Sequence, residues 1–179
     1  MEDDTTSSPS EREMQELYIR AYEKGLTTMP SLEEARMDHT ITRAELAKII
    51  TLYATKFHNK TPDTTKTQCG EYKDLNTTNA ELAGYVVQAC ELGLMGYWSN
   101  GVVTKEYFSP NGVVTRAEVA TILSRLLRGT KYLGSNEENW YQGHLSALKS
   151  EQIIQTDVAP STLELRGNIY IMLKRVENR

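Results

Sequence analysis

Apolar residues recur at helical spacing in six stretches of this chain, and each stretch predicts a helix. The first follows Ser10, which opens a capping box with Glu13, and it stops at Gly25. The second follows Thr42 and is apolar around most of its circumference, as expected of a helix buried in the middle of a fold. Six helices of about 14 residues each would make the chain roughly half helical, above the usual third, so we predict an all-α fold with long loops. The other four helices run through Leu82–Cys90, Val119–Leu127, Trp140–Leu148 and Ile169–Val176.

The six predicted helices form three helix–loop–helix units, which indicates a tandem repeat. In the second unit, Asn-Gly pairs at 100–101 and 111–112 predict tight turns, and the valines beside them are expected to form very short β pairs. We divide the chain into a flexible leader (1–10), a first repeat (11–60), a Thr-rich exposed linker (61–71), a second repeat (72–129) and a shorter, divergent third repeat (130–179).

Charge and hydropathy argue against two broad classes of partner. The chain carries 20 Lys and Arg against 24 Asp and Glu, a net charge of −4, which is not typical of a general nucleic-acid binder. Its apolar runs fall short of the roughly 18 residues of a membrane-spanning helix, so no membrane span is expected. Acidic and hydroxyl side chains occupy the start of the chain, where a secretory signal would be apolar, as in a mature or excised segment.

The two cysteines, Cys69 and Cys90, allow two states. A bridge between them would stabilise the fold by roughly 3 kcal/mol in an oxidising compartment. The alternative is a buried helical thiol at Cys90 and an unrelated loop thiol at Cys69. The sequence favours neither state, and the spacing of the two cysteines does not match a zinc site.

The four-residue motif Thr-Arg-Ala-Glu begins two predicted helices, at Thr42 and at Thr115. In each copy the Thr hydroxyl and the Glu carboxylate are placed to form a capping box. The Arg opposes the helix dipole in the first turn, so capping does not account for it. One interpretation is that Arg43 and Arg116, each with its helix N-terminus, hold a carboxylate or phosphate of a ligand. The alternative is an arginine that is solvated or paired with a glutamate of the protein.

The stretch from Phe108 to Ala120, FSPNGVVTRAEVA, resembles the signature of the S-layer homology domain, in which a helix starts with Thr-Arg-Ala-Glu. Tyr72-Lys73-Asp74 resembles the aromatic-x-Asp opening of such a repeat. The segment from Ala89 to Gly96 resembles its small-residue helix ending in a glycine turn. The similarity covers about residues 11–177 and is strongest in the second repeat.

This resemblance implies three repeats folded into an all-α bundle with pseudo-threefold symmetry. It also implies a non-catalytic, cofactor-free module outside the cell that anchors a parent surface protein to the bacterial wall. Its partner would be a secondary cell wall polysaccharide, typically pyruvylated, or a peptidoglycan-linked polymer, held in grooves between repeats. By match to the motif, Arg43 and Arg116 would bind acid groups of that ligand. We add Arg166, Gly96 and Trp98 as further candidate ligand-binding residues.

The third repeat departs from the motif. Leu165 replaces the capping Thr and Asn168 stands in the Glu position, although Arg166 is kept. Gln152 occupies the place of the turn glycine. The resemblance therefore implies a third groove that is structural or does not bind ligand.

Aromatic residues are further candidates for contact with a saccharide, because the apolar face of a sugar stacks well on a ring. Tyr97 and Trp98 follow a glycine in a loop, and Tyr107 and Phe108 precede the predicted turn. We predict that Phe108 and Trp140 are core residues beneath the loops. Trp98 is expected to be exposed, as a platform for the ligand.

The sequence gives little support to a catalytic function. His39, His58 and His144 are scattered without the spacing of a metal site or of a nucleophile and its base, and no glycine-rich phosphate loop is seen. We therefore predict that the chain is not an enzyme. The alternative to a wall anchor is a protein-interaction module that assembles a bacterial surface layer, which predicts oligomers in the absence of any polysaccharide.

Overall fold

The computed structural model describes residues 10–131, 138–155 and 159–179, so the predicted leader lies outside it except for Ser10. Helices make up 53% of this described part, which confirms the all-α prediction, and none of them is long and apolar enough to span a membrane. All the α-helices except the four-residue α2 correspond to predicted ones. They are α1 (Glu11–Glu23), α2 (Leu32–Ala35), α3 (Arg43–Phe57), α4 (Ala80–Glu91), α5 (Arg116–Arg128), α6 (Gln142–Ser150) and α7 (Arg166–Glu177), with 3₁₀ helices at Thr67–Gly70 and Leu75–Thr77.

Local capping signals determine most of the helix ends. The predicted capping box of α1 forms. α3 starts with the same arrangement, because the Thr42 hydroxyl accepts from the Glu45 N–H and the Glu45 carboxylate accepts from the Thr42 N–H. α6 and α7 lack such a cap: α6 begins after Tyr141 and α7 after Leu165, each without a side-chain cap. Trp140 therefore lies ahead of α6 and not inside it as predicted.

The helices pack in a closed cycle. α3, which ends the first repeat, lies against α4 of the second repeat, α5 lies against α6, and α7 lies against α1. The mostly buried α3, α5 and α7 form the centre of the cycle, as predicted for three repeats with pseudo-threefold symmetry. An ion pair accompanies each contact: Lys48 with Glu81, Arg128 with Glu151, and Arg20 with Glu177.

The segments just before α3, α5 and α7 meet at the centre of this cycle. The middle side chains of the three segments, Ile41, Val114 and Glu164, are completely buried. The segments join through isolated antiparallel β-bridges. Of the valines predicted to form short β pairs, Val113 lies in one of these bridges, and its partner is Thr42 of the first repeat. These bridges connect Thr42 to Val113, Thr115 to Leu163 and Thr40 to Leu165.

Cys69 and Cys90 form a disulfide, which decides between the two states that the sequence allows. The bridge joins the predicted linker to α4, and the Asp63 N–H donates to the carbonyl oxygen of Glu91 at the end of the same helix. Tyr97 donates its hydroxyl to the Cys90 carbonyl oxygen beside the bridge. Most linker side chains are exposed as predicted, but the linker is fastened to the second repeat.

A left-handed residue ends the first long helix of every repeat. The residue is Gly25 in the first repeat, Gly93 in the second and Gln152 in the third, with φ of +66°, +77° and +59°. The glycine turn is thus kept in the third repeat without its glycine. The residue after the turn donates its N–H back into the helix in each case: Leu26 to Ala21, Leu94 to Ala89, and Ile153 to Leu148.

Replacing Gln152 with glycine is expected to raise the free energy of unfolding by about 0.5–1 kcal/mol. A side chain at positive φ is strained by about 1–2 kcal/mol, and glycine removes this strain at a cost of about 0.5–1 kcal/mol in unfolded-state entropy. Urea unfolding followed by circular dichroism measures the change. The reverse variant, Gly93→Ala, should lose about 1 kcal/mol, and a Q152G variant less stable than wild type would contradict the account.

Candidate ligand-binding groove

The first backbone N–H groups of α3, α5 and α7 already have acceptors within the protein. In each helix the first two N–H groups donate to carbonyl oxygens of another repeat. These N–H groups are the ones that an anion at a helix start would use, and here they hold the repeats together. The bonds, 2.7–3.0 Å long, run from Arg43 to Gly112, Ala44 to Pro110, Arg116 to Thr162, Ala117 to Pro160, Arg166 to His39 and Gly167 to Met37.

The three motif arginines pair with glutamates of neighbouring repeats, again in a cycle. The structure therefore shows the second alternative for these arginines, which is pairing with glutamates of the protein itself. Because each guanidinium also lies at a junction between repeats, the pairs help to fix the register of the bundle. They join Arg43 to Glu118 (2.7 Å), Arg166 to Glu45 (2.9 Å), and Arg116 to Glu164.

The third repeat supplies its acid from a different position. By the pattern of the other two pairs, Arg116 would meet residue 168, which is Asn168. The acid stands instead at Glu164, where the other repeats have Ile41 and Val114. Asn168 Nδ2 donates to Glu164 Oε2 at 3.1 Å and so helps to hold the carboxylate. The ion pair is thus kept although its acid has moved four positions along the chain.

The starts of α5 and α7 do not repeat the complete capping box of α3. Thr115 accepts from the Glu118 N–H, but the Glu118 carboxylate bonds to Arg43. The predicted capping box of α5 is therefore only half formed. α7 has Leu165 at its N-cap and no side-chain cap, as its departure from the motif predicts.

A cavity of about 630 Å³ lies between α3 and the second repeat, and we refer to it as the groove. Its walls are the N-terminus of α3, the loop after α4, α5, and Trp140 just ahead of α6. Its charged side chains, within the described part of the chain, are Arg43, Lys105 and Arg125 against the single carboxylate of Glu118. The groove is therefore a basic site on a protein of net negative charge.

The groove contains three of the five predicted ligand-binding residues. Arg43, Gly96 and Trp98 line it. Arg116 and Arg166 lie outside it, and Arg116 is buried against Glu164. The structure therefore does not bring all the motif arginines to one site.

Two basic residues of the groove, Lys105 and Arg125, carry no motif in the sequence. Arg125 is buried, and it donates to the carbonyl oxygens of Leu94 at 3.3 Å and Trp98 at 3.2 Å. The Lys105 ammonium lies 5.2 Å from the centre of the Trp98 ring. Burial is the main cause that lowers the pKa of both Lys105 and Arg125. Both charges are thus held where water solvates them poorly.

Gly96 shapes the loop that carries the groove aromatics. Its φ is +85°, and a Cβ at this position would collide with the Tyr72 hydroxyl. The Gly96 carbonyl oxygen accepts from the Tyr72 hydroxyl at 3.0 Å and from the Lys105 N–H at 2.8 Å. These contacts explain the glycine by backbone geometry, and its contact with a ligand stays a prediction.

Asp74 holds the other end of the same loop. Its two carboxylate oxygens accept from the backbone N–H groups of Phe108 at 3.0 Å and Ser109 at 2.8 Å. The Phe108 carbonyl oxygen in turn accepts from Arg43 Nε at 2.8 Å. The aspartate of the Tyr72–Asp74 segment therefore positions the loop against α3.

The aromatic residues divide between the core and the groove. Phe108 is buried, which confirms its prediction as a core residue, and Tyr97 is buried as well. Trp140 is half-buried and lines the groove, so its prediction as a core residue was wrong. Trp98 is 55% exposed as predicted, and Tyr107 is exposed away from the groove.

The histidines lie in three different environments. His39 is exposed beside Asp38, His58 ends α3 next to the Tyr53 ring, and His144 is buried in α6. Within the described ranges, no group of three or more His, Cys, Asp or Glu side chains is arranged to hold a metal ion.

Comparison with models of known protein families and with curated proteins found no match. The groove is therefore the feature of the chain that bears most directly on its function. Its relevant features are the excess of positive charge and the rings of Trp98 and Trp140.

Proposed function

We propose that this chain is a non-catalytic module that anchors a parent surface protein to the bacterial cell wall. It binds an anionic wall polysaccharide in the groove. The observation that carries the proposal is the composition of the groove: three basic side chains against one carboxylate, beside two tryptophan rings. An acidic sugar offers an anion to the basic side chains and an apolar ring face to the indoles. The volume of about 630 Å³ suits a few sugar rings, since ligand pockets commonly span roughly 300–1,000 Å³.

Two further observations support this proposal. The segment from Phe108 to Ala120 resembles the signature of S-layer homology domains, which bind secondary cell wall polymers, typically pyruvylated, between repeats. The Cys69–Cys90 disulfide fits a location outside the cell, because disulfides persist in oxidising compartments.

The proposal gives the motif arginines different roles. Arg43 lines the groove and can contact an acid group of the polymer at its edge, beside Glu118. Arg116 and Arg166 hold neighbouring repeats together through Glu164 and Glu45. Ligand contact by the motif is therefore confined to the groove at α3.

Replacing Trp98 with alanine is expected to weaken binding to purified bacterial walls about tenfold, because the exposed indole supplies the platform for a sugar ring. Co-sedimentation of the chain with walls, over a range of wall concentrations, measures the loss. Tyr107→Ala is the matched control, since Tyr107 is an equally exposed aromatic residue outside the groove. The helix content of both variants should match wild type by circular dichroism.

Equal wall binding by wild type and Trp98→Ala would contradict this proposal. A wild-type chain that does not sediment with walls, but forms concentration-dependent oligomers in analytical ultracentrifugation, would instead favour the assembly module of a bacterial surface layer.

A further inference from the structure

The three basic side chains of the groove differ in how far their donors are already used. Arg43 donates from Nη1 to Glu118 at 2.7 Å and from Nε to the Phe108 carbonyl oxygen at 2.8 Å. Both bonds tie the guanidinium to the second repeat. An acid group approaching Arg43 would have to compete with a carboxylate that is already in place.

Arg125 is committed to the protein through its terminal nitrogens, while its buried Nε has no hydrogen-bond partner among the described residues. Its two terminal nitrogens donate to the carbonyl oxygens of Leu94 and Trp98. These bonds hold the first part of the loop that forms the groove wall. Arg125 therefore contributes positive charge to the groove, while its terminal groups serve the loop.

Lys105 is in a different state. Among the residues that the structure describes, its ammonium forms no hydrogen bond or ion pair, and its close contact is the Trp98 ring at 5.2 Å. The backbone N–H of Lys105 donates to the Gly96 carbonyl oxygen at 2.8 Å, which fixes the residue at the groove wall. The side chain of Lys105 is half-buried, and its three ammonium donors are not used by any protein group that the structure describes.

We infer that Lys105 is the residue that binds the acid group of the polysaccharide, and that the Trp98 ring supports the sugar that bears it. This inference rests on the proposed function and identifies the basic side chain that binds the acid group. After burial, repulsion from Arg43 lowers the pKa of Lys105, attraction to Glu118 raises it and repulsion from Arg125 lowers it. An anion beside Lys105 would add to the attraction and offset the repulsion from the two arginines. An ammonium is a compact point charge, so it can bind a carboxylate or a phosphate in any orientation.

The experiment compares charged and uncharged forms of one polymer. The probes are a teichuronic acid, whose acid groups are carboxylates, and the same polymer with its carboxyl groups reduced to alcohols. A teichoic acid forms a parallel phosphate arm. Trp98 and Trp140 both line the groove, so quenching of tryptophan fluorescence reports binding directly. Wild type should bind at least one of the two acidic polymers at least tenfold more tightly than the reduced, uncharged polymer.

Lys105→Met keeps the length of the side chain and removes its charge. This variant should bind the native and the reduced polymer with equal affinity, and Lys105→Arg should recover most of the preference. Lys73→Met is the matched control, because Lys73 also lies over an aromatic ring, Tyr107, but is paired with Glu106 outside the groove. It should keep the wild-type preference.

Two outcomes would overturn the inference, and they are distinguishable. If wild type prefers the acidic polymer and Lys105→Met keeps that preference, the groove binds acid groups through another residue and the role of Lys105 is wrong. If wild type binds none of the polymers, the proposed function fails and the inference fails with it.

Discussion

Replacement of Glu164 with isoleucine is expected to lower the free energy of unfolding by about 3–5 kcal/mol, which is the usual cost of removing one partner of a buried ion pair. Glu164 is completely buried and accepts from Arg116, which is itself buried. Isoleucine is the residue that the first repeat has at the same position, Ile41, so the shape of the site tolerates it. The loss therefore arises from the missing carboxylate and not from a clash. Urea unfolding at pH 7 measures it.

A second substitution separates this explanation from a general loss of packing. Asn168→Glu places an acid where the other two repeats carry Glu45 and Glu118, so the double variant E164I/N168E should recover most of the stability lost in E164I. Glu106→Gln is the control, because an exposed pair of this kind contributes less than about 1 kcal/mol. A stable E164I variant, or a double variant no better than E164I alone, would contradict the cycle of ion pairs.

Acidification from pH 7 to pH 5 is expected to cost about 2 kcal/mol of stability through His144 alone. His144 is buried in α6, and within the described ranges neither ring nitrogen has a hydrogen-bond partner. Burial, with Arg125 and Arg128 facing it from α5, lowers the pKa of His144 to about 4. In the unfolded chain the pKa is near 6.5, so the unfolded state binds the proton first as the pH falls. The free energy of unfolding lost through His144 is small above pH 6.5 and reaches about 3 kcal/mol below pH 4.

His144→Leu removes the titrating group and the two unpaired nitrogens. This variant should be more stable than wild type at pH 5, and its stability should fall less between pH 7 and pH 5. Some dependence stays, because burial also lowers the pKa of His58. His39→Gln is the control at an exposed histidine and should keep the wild-type slope. Thermal unfolding across this pH range measures all three proteins, and equal slopes for wild type and His144→Leu would contradict the role of His144.

The helices were predictable because their signals are local. Capping residues such as Ser10 and Thr42 lie within one turn of the groups that they satisfy, and the apolar spacing lies within a single helix. The missed α2 has four residues, too few for a periodic signal. The start of α6 lacks a capping signal, so the apolar spacing alone extends the predicted helix back to Trp140, ahead of its actual start.

The pairing between repeats was not predictable from local patterns. Glu164 lies 48 residues from Arg116 along the chain, and nothing in its neighbourhood marks it as the acid that replaces position 168. The disulfide also joins residues from different elements, so the sequence left it open. Both features depend on which separate elements of the chain pack against each other.

The groove was only partly predictable. Arg43, Gly96 and Trp98 were found because they belong to a motif or a glycine loop, whereas Lys105 stands in a loop with no periodicity. Arg125 offered one signal, since it lies on the face of α5 that is otherwise buried. A charged residue on a buried face indicates a specific partner, but it does not reveal that the partners are backbone carbonyl oxygens.

The indole N–H signals of the two tryptophans provide the most direct test of the groove as the ligand site. In the ¹⁵N-labelled chain, titration with soluble acidic wall polysaccharide should shift the Trp98 signal, and the shift should saturate with the dissociation constant obtained from fluorescence. Trp140 lines the same groove and should shift as well. Binding of the polymer that leaves both indole signals in place would contradict the groove as the site of recognition.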